Sequence, residues 1–184
     1  MKSRKLIAGV DEVGRGSLIG SVYSAAVILN PETYIENLVD SKKLSLKNRV
    51  SLSNQIVTKS LAISIGIATK DEIDEHNIHH ASLLSMKRAV DNLCIQPDII
   101  YIDGLYSPDL DTESHTIIGG DNKIREISAA SIVAKVARDN EMAFLDKKFE
   151  IYRFVNNKGY GTRYHLDTIS KIGKTIYHRE SFIK

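Results

Sequence analysis

The chain has 184 residues, 42% hydrophobic and 26% charged, which fits one globular domain and excludes a disordered or fibrous chain. Net charge is +2, too small to mark a polyelectrolyte, yet residues 1–121 hold 12 basic and 16 acidic side chains and residues 122–184 hold 13 and 7. A lone cysteine, Cys94, excludes an intrachain disulfide and reads as a small buried hydrophobe on a helix. No apolar run approaches the roughly 20 residues of a membrane span, nor the h-region of a secretory signal, so a cytoplasmic protein is expected.

Strands are predicted at Leu6–Asp11, Ser21–Leu29 and Leu61–Ala68, the last alternating Ile63, Ile65 and Ile67 onto one face. A helix is predicted over Ser45–Ser60. Leu83, Met86, Val90 and Leu93 recur at helical spacing before Pro97. A strand at Ile99–Asp103 and a short one near His115–Ile118 follow. Ala129, Ile132, Val133, Val136 and Ala143 mark a further helix, and a last one is predicted after Thr162. His76, His79 and His80 read as a polar helix entry rather than a zinc site, since no Cys or further His repeats the pattern. The order implies a mixed α/β sheet with helices on its faces.

Two of these strands run into acids. Asp11 and Glu12 follow Ile7–Val10, and Asp103 follows Ile99–Ile102, positions where strand propensity disfavours aspartate. Asp121 follows two glycines before the Ala-rich helix. Adjacent buried carboxylates repel unless a cation lies between them, and hard oxygen ligands without partnered Cys or His point to Mg²⁺ or Mn²⁺. Gly14–Gly20 nearly spells a dinucleotide-binding G-x-G-x-x-G, but the last glycine is one residue late and the acids would repel a pyrophosphate. A non-catalytic module that binds nucleic acid would keep the basic last third without needing the strand-end acids.

Motifs run almost end to end: GVDEVGRG at Gly9–Gly16, DSKKL at Asp40–Leu44, DEIDEHNI at Asp71–Ile78, IDG at Ile102–Gly104, GD at Gly120–Asp121, ISAASIVAKV at Ile127–Val136 with Arg138 and Asp139, KGYGT at Lys158–Thr162 and HRESF at His178–Phe182. In order and spacing they resemble bacterial ribonuclease HII, the type 2 ribonuclease H. Arg15 departs from the lysine of the sibling type HIII, and Arg153 replaces a glycine common in the family. The resemblance implies a single RNase H-like domain over residues 1–184, with a mixed central β-sheet flanked by helices. It implies hydrolysis of the RNA strand of RNA–DNA hybrids and incision at ribonucleotides embedded in duplex DNA, by two metal ions, Mn²⁺ or Mg²⁺, leaving 5′-phosphate and 3′-hydroxyl ends. Asp11, Glu12, Asp103 and Asp121 would form the metal cage, with Asp11 bridging. Asp139 is the rival fourth acid and reads as structural. Gly14, Arg15 and Gly16 would read the ribonucleotide, whose 2′-hydroxyl a glycine backbone can approach. Tyr160 would pack on the following deoxyribose, and Lys42 and Lys43 would contact phosphates. Ser128 and Ser131 read as helix caps rather than ligands. A monomer is expected.

Overall fold

The computed structural model describes residues 5–38 and 45–183; Lys42 and Lys43 lie outside the described residues. The chain runs β1 (Ile7–Val13), β2 (Val22–Leu29), α1 (Leu46–Lys59), β3 (Ser60–Ala68), α2 (Lys70–Asp91), β4 (Ile99–Asp103), β5 (Ser114–Ile117), α3 (Arg125–Lys148), the short α4 (Phe154–Asn157) and α5 (Arg163–Ile172). The five strands form one mixed sheet in the order β3-β2-β1-β4-β5. β2 is antiparallel to β1 and β3, while β4 is parallel to β1 and β5.

Local chemistry sets the helix starts. Ser45 and Thr162 cap α1 and α5 with their side-chain oxygens, and Thr69 with Glu72 forms a reciprocal capping box on α2. α2 begins well before the predicted apolar stripe and is kinked at Asn77 (φ 65°). Asn77 Oδ1 accepts from the N–H groups of His79 and His80 and so starts the second half; these two histidines sit at a helix entry, while His76 ends the first half. Cys94 departs from expectation, being exposed just beyond α2.

One sheet face buries Ala25 and Val27 against Leu52 and Ile56 of α1 and Ala129, Ala130, Ile132 and Val133 of α3. The other buries Ala8, Val10, Ile100 and Ile102 against Met86 and Ala89 of α2. Gly9 is the contact point of β1 with α3. A Cβ there would lie 2.0 Å from the Glu126 carbonyl carbon, so only glycine lets the start of α3 lie against the strand. β1 passes through its glycine-rich turn into antiparallel β2 rather than into a helix, which removes the dinucleotide-binding reading, because that motif needs a helix N-terminus. No helix among the described residues is long and apolar enough to cross a membrane.

A smaller cluster of Ile19, Met142, Leu145, Tyr152 and Phe154 packs beside the C-terminal segment, where His165 and His178 are fully buried. His165 Nδ1 lies 2.9 Å from the Tyr160 carbonyl and therefore carries its proton, while His178 Nδ1 accepts from Thr175 N–H at 2.8 Å. The 3.1 Å contact between the two Nε2 atoms is then a hydrogen bond from His178 to His165, and both rings are neutral. Burial and then the charge of its partner push His178 down to about 4, and burial lowers His165.

Two outcomes follow from this packing. Gly9→Ala is expected to destabilise the fold by about 1–3 kcal/mol, the usual penalty of overpacking; an unchanged denaturant midpoint would contradict the contact. The histidine pair titrates near 6.5 when unfolded, so its contribution is complete above that pH and is lost as pH falls towards 4. The raised carboxylates of β1 titrate with the opposite sign, so the measurement belongs in an Asp11→Asn, Glu12→Gln background. There, chemical denaturation should show about 1–3 kcal/mol less stability at pH 4.5 than at pH 7.5. A flat profile would mean that the rings are not held neutral.

Candidate active site

Pairing places the acids. The β1–β4 ladder stops at Val10 and Ile102, although β1 continues to Val13 against β2, with Asp11 opposite Ala25 and Glu12 opposite Ser24. The predicted end of the strand at Asp11 is thus corrected: the strand goes on, and it is its β4 side that opens. Asp11, Glu12, Asp103 and Asp121 line the resulting cavity of 350 Å³, together with Arg49, Ser131 and Lys135. Neighbouring strand residues would normally point to opposite faces; at this open margin both carboxylates reach one space.

The groups are partly pre-positioned by hydrogen bonds. Asp11 Oδ1 accepts from Glu12 N–H (2.8 Å), Asp103 Oδ1 from Gly120 N–H (2.7 Å), and Asp121 Oδ1 from the Asn122 amide (2.8 Å). Asp11 and Asp121 are buried, at 6% and 3% exposure. Burial, then the charge of Glu12 and more weakly that of Asp103, pushes Asp11 well above the usual carboxylate range, against a hydrogen bond from Ser131. Glu12 is raised by burial and restrained by Arg15, whose Nη1 lies 3.3 Å from Oε1. As placed, no three acidic, His or Cys side chains among the described residues converge on one point.

Ser131 therefore faces the acids rather than capping α3, whose N-cap is Ile124 without a side-chain bond; Ser128 instead donates to the Leu38 carbonyl. The sequence reading also passed over Lys135 and Arg49. Lys135 lies one helical turn after Ser131, a spacing that repeats a face. Asp139 stands outside the cavity lining and pairs with Lys135 at 2.6 Å and with Arg49 at 3.9 Å, consistent with a structural role.

The two glycine-rich turns meet beside the acids. Leu18 N–H donates to the Gly159 carbonyl at 2.8 Å, Ser17 Oγ–H donates to the same carbonyl at 3.0 Å, and Ser17 bridges Tyr160. Tyr160 is 40% exposed, and a methyl group on Gly16 would lie 3.6 Å from its ring. Gly14 adopts φ +95°, and a side chain there would strike Arg138. Arg138 Nη2 donates to Ser17 Oγ (2.7 Å) and to the Ile19 carbonyl (2.8 Å), while its Nη1 pairs with Glu141 at 2.6 Å.

Solved structures share this architecture. Ribonuclease H2 from Pyrococcus horikoshii OT3 aligns with TM-score 0.81 and 26% identity, covering 95% of this chain and 92% of that one. The RNase HII in a PCNA:RNase HII complex from Archaeoglobus fulgidus gives 0.80 and 26%, covering 95% and 94%. The Bst-RNase HIII solved in complex with Mn²⁺ is similar in fold, with TM-score 0.67 and 17% identity over 92% of this chain and 63% of that one. The family description Ribonuclease HII matches residues 8–184. With an RNase H-like sheet carrying four acids in one cavity, the chain belongs to the ribonuclease HII family and is a ribonuclease H, hydrolysing the RNA strand of RNA–DNA hybrids.

Proposed function

We propose that this ribonuclease also incises at single ribonucleotides embedded in duplex DNA, acting as a monomer in the cytoplasm, and that Asp11, Glu12, Asp103 and Asp121 hold Mg²⁺ or Mn²⁺ for the reaction. The observation that carries the reading is the junction of two things: a cavity lined by four carboxylates, and the hydrogen-bonded pair of glycine-rich turns beside it. The donor set fits the ions in kind. It is all oxygen, and the burial and then the mutual repulsion that lift Asp11 are what a divalent cation would offset. As the carboxylates do not yet converge on one point, the ion would draw them together.

When bound, such ions supply an activated water and offset charge on the leaving oxygen. The water oxygen attacks phosphorus as the P–O3′ bond breaks, O3′ takes a proton, and the ends are a 5′-phosphate and a 3′-hydroxyl. Among the protein's own groups, Lys135 and Arg49 give the cavity wall positive charge to face the phosphate, and Asp139 orients them. Gly14–Gly16 lies next to the sugar whose phosphate is cut, because it follows Glu12 by two residues. Tyr160, across from Gly16, takes the next sugar. A deoxyribose suits an aromatic face there, whereas a ribose would bring a polar hydroxyl against it.

Asp11→Asn keeps the shape but removes the charge that would hold a cation. Cleavage of an RNA–DNA hybrid should fall by roughly 10³-fold, the several kcal/mol a catalytic metal supplies, while binding of a labelled hybrid persists. Near-normal turnover in Mg²⁺ would remove Asp11 from the metal cage. Tyr160→Ala should lower kcat/KM at a single embedded ribonucleotide by roughly 10-fold more than within a continuous hybrid, by analogy with the loss of a stacked base. An equal loss on both substrates would make Tyr160 a surface aromatic with no part in reading the junction.

A further inference from the structure

Arg179 has no exposed surface, yet no chemistry in the cavity uses it. Its guanidinium spends its donors on one short stretch of backbone. Nη2 donates to the carbonyls of Gly14 (2.8 Å) and Ser21 (3.2 Å), Nη1 to that of Arg15 (2.9 Å), and Nε to that of Gly20 (2.9 Å). A planar fork of five donors is the side chain able to fix several carbonyls at once.

The consequence lies on the other side of the peptide planes. In a trans peptide the C=O and the following N–H point in opposite directions, and no cis bond is present. With the carbonyls of Gly14 and Arg15 drawn inward, the N–H groups of Arg15 and Gly16 face outward. Both residues are exposed, and no described residue accepts from either N–H. Two fixed, unpartnered donors therefore stand beside the carboxylate cavity, suited to the oxygen of a 2′-hydroxyl.

We propose that Arg179 is a positioning residue for ribonucleotide recognition: by holding the carbonyls of Gly14 and Arg15 it aims the N–H groups of Arg15 and Gly16 at the 2′-oxygen, and so sets the enzyme's preference for a ribose at the cut site. The inference rests on the reading that Gly14–Gly16 contacts that sugar. Arg179 is itself held from two sides. Its N–H donates to the Leu18 carbonyl at 2.9 Å, and Ile19 bridges His178. On the other side, Asp74 of α2 accepts from Glu180 N–H (3.0 Å), Ser181 N–H (2.9 Å) and Ser181 Oγ (2.6 Å). Among the described residues, the hydrogen bonds of Asp74 thus meet the segment that carries Arg179 rather than the loop itself.

The test compares kcat/KM on duplex DNA carrying one ribonucleotide with that on the same duplex carrying one 2′-fluoro nucleotide, whose fluorine is a poor acceptor and no donor. Arg179→Lys keeps a buried cation but loses the fork; it should narrow the 2′-OH over 2′-fluoro ratio by at least about 10-fold, with the loss in kcat on the ribonucleotide substrate. Asp74→Asn, which leaves every loop residue in place, should narrow it in the same direction by less, and it stands in if Arg179→Lys does not fold. Gly16→Ala tests the underlying reading, because its methyl would make only ordinary contact with Tyr160 yet would crowd the sugar. If Gly16→Ala alters the ratio while Arg179→Lys and Asp74→Asn lower both substrates equally, Arg179 merely supports the fold and the proposal is overturned. If Gly16→Ala leaves the ratio unchanged, the loop does not read the sugar, and the reading beneath the proposal fails first.

Discussion

Two buried guanidinium groups hold the recognition side of this enzyme together. Arg138 and Arg179 are 2% and 0% exposed, and a charge so placed is costly unless its donors find oxygens; each guanidinium nitrogen of Arg179 does, while Arg138 engages both Nη atoms and leaves Nε without a partner among the described residues. Burial and the nearby Arg138 charge press Arg179 down to about 9. Charge persists because carbonyl dipoles surround it, with Glu141 and Asp74 the carboxylates whose charge offsets part of the burial. The arrangement fixes a loop that has no strand or helix of its own. Gly14–Ser21 closes around the two cations, with Gly14 against Arg138 and Gly20 against Glu141. The turn bearing Tyr160 then docks on that loop through Ser17 and Leu18. Remove the cations and the loop carbonyls have nothing to face; remove the carbonyls and the cations have no reason to be buried.

The catalytic side has the opposite sign and the opposite economy. There, like charges are brought close without an internal counterion sufficient to neutralise them. Arg15 restrains Glu12, and Asp139 diverts Lys135 and Arg49 to the wall. What remains is a rise in the carboxyl pKa of Asp11. Burial of that charge and then the residual repulsion are destabilising, and a divalent cation held there would turn both into binding free energy, so that stability and metal affinity would be linked.

The strands, the helix starts at Ser45 and after Thr162 and the four acids that line the cavity were legible because each rests on a local pattern. The resemblance also pointed to Tyr160, though not to the pairing of its turn with the loop after Glu12, since an isolated bridge between residues 17 and 160 leaves no periodic trace. Arg49 and Lys135 were missed for a similar reason, since residues flanking a helix's core face read as solvated, and Ser131 was misread as a cap because a serine near a helix start is most often one. Cys94 was misplaced because its type is most often buried, while its position after α2 is exposed. Arg153 shows the reverse case. It occupies the left-handed region at φ 54°, a conformation that explains a glycine in relatives. Here its guanidinium stacks 4.7 Å over Tyr164, an attraction that offsets part of the strain.

Selectivity and chemistry share one length of backbone, and this bears on how accurately they can be matched. Asp11 and Glu12 are fixed by the β2 ladder, and Gly14 follows Glu12 with only Val13 between them. Any sugar held by the Gly14–Gly16 loop is therefore placed relative to the cavity by a few covalent bonds and a paired strand. A flexible lid would not provide that accuracy, since sub-ångström placement of reacting groups depends on a rigid support. The remaining freedom is rotation of the loop's peptide planes, which the strand does not control. In this fold the control comes from the far end of the chain, where Arg179 reaches back across the loop. On the proposed reading of the loop, the strand sets the distance from ribose to scissile phosphate, and the buried cation sets the direction of the donors that would recognise the sugar.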